Sequence, residues 1–149
     1  MNEILKYIET KHGRKFTRQQ IDMLSPLVLA YIGDTIYDLF VRTYIIAMED
    51  GTVHRLNSMA IEYVNAASQC CALHSIEAEL TDEEKGIVRR GRNVKSGTVP
   101  KNADVGEYRW ATGLEALLGY LYLTGQNERL FYIMELILNR EKGDECGNN

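Results

Sequence analysis

Two carboxylates stand almost alone in apolar stretches of the chain. Asp34 lies in LAYIGDTIYD, residues 29–38, on a segment that otherwise looks bound for a protein core. Glu115 is the only charged residue in WATGLEALLGYLYLTGQN, residues 110–127. A buried carboxylate without a partner is energetically costly, so each must be protonated, paired with a cationic side chain, or bound to a metal ion.

If the segments that carry Asp34 and Glu115 pack face to face, the two side chains form a site made of oxygen atoms alone. Such a hard site suits Mg²⁺ or Mn²⁺, and Mg²⁺ is often held by one or two carboxylates together with substrate phosphate. An ion there can activate a water molecule and neutralise charge on a phosphodiester. This chemistry is that of a metal-dependent nuclease.

Two simpler interpretations of the same residues stay open. Asp34, Asp38 and Arg42 follow one another at four-residue spacing, so they could form a solvent-facing stripe that contains an Asp38–Arg42 ion pair. Glu115 could likewise form a buried ion pair with an arginine such as Arg42.

A basic segment lies between these two regions, although the chain as a whole has a net charge of −4. In RRGRNVKSGTVPK, residues 89–101, five basic side chains occur without an acid. The segment is either a solvated loop that happens to be basic or a surface that binds phosphates. The net charge argues against a protein that coats nucleic acid by bulk electrostatics.

Helical spacing and capping signals predict an all-α domain. Ser25-Pro26 marks a helix start, and Thr81 with Glu84 forms a capping box. The predicted helices span residues 2–11, 26–48, 52–75, 82–90 and 104–124, with a further turn capped by Thr17. Asn127 is the predicted cap of a last helix that ends near Glu141.

Length and composition are those of one domain: 149 residues, 45% of them hydrophobic. We see neither a signal peptide nor a membrane span, so we expect a cytoplasmic protein without a membrane partner. Cys70, Cys71 and Cys146 lack metal-ligand spacing, and adjacent cysteines would strain to pair, so we expect reduced thiols.

At the two carboxylates the chain resembles the ribonuclease III family. The family's Leu/Ile-Gly-Asp signature is matched by YIGDTIYD, residues 31–38, and its second acidic helix by LEALLG, residues 114–119. More narrowly, residues 89–123 are similar almost throughout to Mini-ribonuclease III, the small bacterial branch without a double-stranded-RNA-binding domain. The resemblance covers about residues 24–138.

The resemblance implies a ribonuclease III-like helical bundle and an endoribonuclease for double-stranded RNA that works as a homodimer. Asp34 and Glu115 would be the catalytic acids and the ligands of Mg²⁺, with Mn²⁺ as an alternative. It also implies trimming of the ends of 23S ribosomal RNA precursor, with a large-subunit ribosomal protein as a further partner. The implied RNA-binding residues are Arg89, Arg90, Arg92, Asn93, Lys95, Lys101 and Asn102.

The chain departs from the family at three positions. Full-length ribonuclease III has further acids where this chain has Ala30 and Thr112, which puts the number of metal ions in doubt, and relatives tend to carry a lysine near Ala67. A catalytically silent RNA-binding dimer and a helical nucleotide pyrophosphohydrolase are the alternatives. We expect an N-terminal extension at 1–23, a catalytic domain at 24–141 and a disordered tail at 142–149.

Overall fold

The computed structural model describes residues 2–95 and 98–140, and this part of the chain contains helices but no strand. The predicted all-α fold is confirmed. The helices are α1 (Asn2–His12), α2 (Arg18–Asp22), α3 (Pro26–Met48), α4 (Val53–Val64), α5 (Ala66–Ile76), α6 (Asp82–Asn93), α7 (Val105–Leu123) and α8 (Asn127–Leu138), with a 3₁₀ turn at Glu77–Glu79.

Most helix starts lie where the sequence predicts them. The Ser25 hydroxyl accepts a hydrogen bond from the backbone of Leu27, and Pro26 is the first residue of α3. Thr81 and Glu84 form the predicted capping box at the start of α6. The expectation for α8 is wrong in detail, because Asn127 is its first residue and Gln126 takes the cap position.

The single helix predicted for residues 52–75 is wrong, because the chain breaks at Asn65 into α4 and α5. Asn65 has an extended backbone and serves as the C-cap of one helix and the N-cap of the next. At the break, each of the last four carbonyls of α4 accepts a hydrogen bond from a side chain, and Ile61 O also accepts one from the Asn65 backbone. These hydrogen bonds run from Asn65 Nδ2 to Ile61 O, from Ser68 Oγ to Glu62 O, from Tyr37 Oη to Tyr63 O and from Gln69 Nε2 to Val64 O.

Helix α7 is the central element, since it is buried along most of its length and packs against α3, α5 and α6. Its closest neighbour is α3. A Cβ added to Gly33 would lie 1.6 Å from the Glu115 carbonyl oxygen, and one added to Gly119 would lie 2.0 Å from the Leu29 carbonyl oxygen. Only glycine allows two helix backbones to approach this closely.

The N-terminal residues are tied to the rest of the bundle through α2. The Tyr120 hydroxyl of α7 lies 2.6 Å from Glu83 Oε1 and 3.1 Å from Asp22 Oδ1. The Arg18 guanidinium covers the Tyr120 ring at 5.1 Å and pairs with Glu83. The boundary at residue 23 stays a prediction, and the tail at 142–149 lies outside the described residues.

None of the helices in the described part of the chain is long and apolar enough to cross a membrane. Cys70 is a free and buried thiol, as expected, whereas Cys71 is disulfide-bonded. The expectation of reduced thiols is therefore wrong for Cys71.

Candidate active site

The crossing of α3 and α7 brings the two lone carboxylates together. Asp34 follows Gly33, whose backbone lies against the backbone of Glu115, and the side chains of Asp34 and Glu115 are in hydrogen-bonding contact. Glu115 is half-buried, but Asp34 is exposed, so the impression that Asp34 points into the core is wrong. The pair therefore forms a site that is open to solvent on the Asp34 side.

The closeness of the two carboxylates raises both of their pKa values. Burial, followed by the negative charge of Asp34, raises the pKa of Glu115 to about 8, against a smaller lowering by the neighbouring Gln69 amide. Burial and the charge of Asp38 raise the pKa of Asp34, while its hydrogen bond with Glu115 acts in the opposite direction. Without a cation the pair thus retains a shared proton at neutral pH.

Arg42 is not the partner of Glu115. Its Nε lies 2.9 Å and 2.8 Å from the two carboxylate oxygens of Asp38, and its NH1 donates to Asn57 Oδ1 at 3.2 Å. The predicted Asp38–Arg42 pair is confirmed, while a Glu115–Arg42 pair is not present. The negative charge of the Asp34–Glu115 pair is left without a neighbouring arginine from α3.

A third side chain of the site, Gln69, is absent from the sequence-based prediction. Gln69 is 2% exposed, its Nε2 donates to the Val64 carbonyl at 3.1 Å, and its amide contacts the Glu115 side chain. The signal was available: in AASQCCALHSI, Gln69 precedes Leu73 and Ile76 at four- and seven-residue spacing, so it shares their buried face. The buried position of Gln69 was not predicted because one continuous helix was expected over residues 52–75.

The donor atoms at this point suit a hard divalent cation. Among the described residues, no three His, Cys, Asp or Glu side chains converge on one point. Ala30 and Thr112 are buried, and the Thr112 hydroxyl donates to the Tyr108 carbonyl at 3.0 Å. Asp34 and Glu115 therefore supply the charged oxygens, and a cation would relieve the repulsion that raises their pKa values.

The basic segment begins on a helix rather than in a loop. Helix α6 runs to Asn93, three residues beyond its predicted end, and it exposes Arg89 and Arg90. Arg92 is half-buried: its guanidinium lies over the Trp110 ring at 4.5 Å, and its Nε donates to Asn93 Oδ1 at 3.2 Å. Stacking on Trp110 holds the Arg92 guanidinium in one place and leaves edge N–H groups for a ligand.

The remaining basic residues follow α6. Lys95 is exposed beyond its end, while Lys101 and Asn102 are exposed on a turn before α7, where Asn102 has φ of 72°. Residues 96–97 lie outside the described part. In that part, no hydrogen bond or ion pair joins the basic segment to the carboxylates. The packing of α6 against α7 sets the position of the basic segment relative to the two carboxylates, since a Cβ on Gly91 would lie 2.9 Å from the Gly113 Cα.

Comparisons with known proteins bear on these observations. A Ribonuclease III domain model matches residues 27–126, more than half of the chain. The chain belongs to the ribonuclease III family. It is 46% identical over 140 residues to Mini-ribonuclease 3 of Clostridium tetani, covering 92% of this chain and 93% of that one. It is 52% identical over 120 residues to Mini-ribonuclease 3 of a Thermoanaerobacter species, covering 80% and 84%.

A solved structure agrees with the family assignment. The crystal structure of a protein from Fusobacterium nucleatum matches with a TM-score of 0.71 and 34% identity, covering 78% of this chain and 93% of that chain. The predicted Mini-ribonuclease III resemblance and the ribonuclease III-like bundle are confirmed. The protein is an endoribonuclease. The roles of the individual site residues remain predictions.

Proposed function

We propose that this ribonuclease III-family protein is a Mg²⁺-dependent endonuclease for double-stranded RNA, with Asp34 and Glu115 as its catalytic acids. The observation that carries the proposal is the contact between these two side chains at the glycine-mediated crossing of α3 and α7. Mn²⁺ can replace Mg²⁺ at a site of this kind, because both ions accept carboxylate oxygens.

Asp34 and Glu115 would hold the ion, which when bound supplies an activated water and positive charge beside the phosphodiester. Asp34 is exposed and so faces the substrate, whereas half-buried Glu115 fixes the position from the protein side. The carboxylate of Asp38, one helical turn after Asp34, is paired with Arg42.

We assign duplex binding to the basic segment. Double-stranded RNA is recognised mainly through its shape, phosphates and 2′-hydroxyls, which are contacts that arginine and lysine can supply without base specificity. Arg89 and Arg90 are exposed on one end of α6, and Trp110 supports Arg92. The net charge of −4 makes this local cluster the favoured place for a polyanion.

We infer a homodimer that forms through α3. Four large apolar side chains of α3 are exposed along one side: Val28 at 48%, Tyr31 at 82%, Leu39 at 50% and Ile46 at 67%. Their helical spacing aligns them in a stripe on one side of α3, interrupted by the exposed Thr35 and Arg42. An exposed stripe with several large apolar side chains indicates an interface, and a two-fold dimer would carry two active centres and two basic clusters.

The cellular substrate that we propose is 23S ribosomal RNA precursor in the cytoplasm, with a large-subunit ribosomal protein as a further partner. The support is the Mini-ribonuclease III resemblance, which extends over most of the chain. The chain has no excess of positive charge, which disfavours tight binding of long RNA duplexes by this protein alone. A substrate that is held in a defined particle is therefore favoured.

The deciding experiment is cleavage of an end-labelled RNA duplex in Mg²⁺ by the wild type, Glu115→Gln and Glu135→Gln. Glu135 is exposed on α8 and controls for the loss of one negative charge. Cutting by the wild type and Glu135→Gln, but not by Glu115→Gln, supports the proposal. If all three bind the duplex and none cuts it, the protein is an RNA-binding dimer without this activity.

A further inference from the structure

Gln69 presents an unusual arrangement for a core side chain. It is 2% exposed, and its Oε1 is buried without a hydrogen-bond partner among the described residues. Nearly all buried polar atoms in proteins are paired, so an unpaired one calls for a reason.

The orientation of the Gln69 amide is fixed by its surroundings. The Val64 carbonyl, 3.1 Å from Nε2, can only accept a hydrogen bond, so the nitrogen must face it. Exchange of the nitrogen and oxygen positions would lose this bond. The second N–H of the same amide is free to donate to the Glu115 side chain, which it contacts.

The geometry points to Gln69 as a positioning residue for Glu115, an inference that rests on the proposed cation site. We propose that its amide N–H holds one Glu115 carboxylate oxygen from the protein side and leaves the other directed towards Asp34 and the cation. Oε1 is left unpaired because the amide nitrogen must lie between the Val64 carbonyl and Glu115. Gln69 thus resembles the outer partners that orient ligands in metal sites, whose loss weakens metal binding.

The break between α4 and α5 is the part of the fold that makes this contact available. Val64 is the last residue of α4, and its carbonyl is free to accept from Gln69 because the helix stops there. The neighbouring Tyr63 carbonyl accepts from the buried Tyr37 hydroxyl of α3 at 3.0 Å. The two bonds anchor the end of α4 to α5 and α3, and the first of them holds the Gln69 amide nitrogen in place.

The test compares the wild type with Gln69→Met, Gln69→Glu and the exposed control Gln19→Met. Mn²⁺ alone is titrated into each protein without RNA, and free Mn²⁺ is measured by electron paramagnetic resonance. Thermal midpoints in EDTA report on the fold. We expect Gln69→Met, which also loses the bond to the Val64 carbonyl, to lower the thermal midpoint and to raise the dissociation constant for Mn²⁺ about tenfold. Tyr37→Phe loses the neighbouring bond to the Tyr63 carbonyl, so it should lower the midpoint without changing the affinity for Mn²⁺. Gln69→Glu lacks the N–H donor, so it should bind Mn²⁺ no better than Gln69→Met.

Each contrary result has a distinct meaning. Wild-type affinity in Gln69→Met overturns the inference, and an equal weakening of Mn²⁺ binding in Tyr37→Phe reduces Gln69 to a packing role. Tighter binding by Gln69→Glu would make residue 69 a direct ligand instead of a positioning residue. If the wild type itself binds no Mn²⁺, the cation site of the proposed function fails, and this inference fails with it.

Discussion

Gly33 of α3 rests directly on the backbone of Glu115 in α7, since a Cβ at residue 33 would lie 1.6 Å from the Glu115 carbonyl oxygen. Gly33 directly precedes Asp34, so this contact links the two proposed catalytic acids, Asp34 and Glu115, through their backbones. The separation of Asp34 and Glu115 is therefore set by main-chain packing and not by flexible side chains. The same contact accounts for the position of the site and for much of the rigidity of the crossing.

Gly33→Ala should both destabilise the protein and abolish cleavage. The atoms that a new methyl group would meet belong to the Glu115 backbone, so the helices must move apart. We expect a loss of about 3 kcal/mol in the free energy of unfolding, measured by urea denaturation. Gly86→Ala in α6 is the matched control, because no atom lies within 4 Å of its added Cβ. It should stabilise α6 by about 1 kcal/mol. Equal behaviour of the two variants would contradict the close approach.

Glu115→Gln should stabilise the metal-free protein at pH 8. The unfolded state releases the Glu115 proton near pH 4.5, whereas the folded state holds it up to about pH 8. Folding stability of the wild type therefore falls as the pH rises through this window. Replacing the carboxyl should restore on the order of 3 kcal/mol at pH 8 and little at pH 4.

Thermal midpoints in EDTA at the two pH values check this expectation, and Mg²⁺ provides a second readout. Mg²⁺ should raise the midpoint of the wild type by binding the folded state, but not that of Glu115→Gln. A variant that remains stabilised by Mg²⁺ would place the ion elsewhere.

The sequence predicted the two acids because a charge in an apolar helix is conspicuous, and it predicted the start of α3 because Ser25-Pro26 is a strong helix-start signal. It did not predict Gln69, whose placement depends on the interruption at Asn65. That interruption is held by side chains from other elements, among them the Tyr37 hydroxyl, and such contacts have no local signature. Exposure of Asp34 was missed for a similar reason, since it depends on which face of α3 meets α7.

Arg89→Ala with Arg90→Ala should weaken duplex binding without changing stability. Both side chains are exposed at the end of α6, so their removal takes away charge and not packing. If each contacts a phosphate, the slope of log affinity against log salt should become shallower by about one per side chain. Fluorescence anisotropy over a salt series measures the slope, and Lys6→Ala on α1 is an exposed basic control. An unchanged slope would move the RNA surface away from α6.

Glu84→Gln should make the protein less stable at pH 7 but not near pH 3. Burial alone would raise the pKa of Glu84, but hydrogen bonds from Arg129, at 2.7 and 2.9 Å, and from the Thr81 backbone lower it below its usual value. The stabilisation is present above the unfolded-state pKa of 4.5 and is lost as the pH falls through the folded-state pKa. We expect a loss of about 2 kcal/mol at pH 7, measured by urea denaturation. Exposed Glu128→Gln should show no such pH-dependent loss.

Leu39→Arg with Ile46→Arg should convert the proposed dimer into a folded monomer. The side chains are 50% and 67% exposed on α3, so arginine can replace them in the isolated subunit without disturbing its core. In a dimer built on this stripe, the same changes bury two positive charges per subunit without partners. Light scattering should give about twice 17.0 kDa for the wild type and 17.0 kDa for the variant. Ile61→Arg on α4, 52% exposed, is the control and should remain dimeric. A double variant that stays dimeric would place the interface on another face.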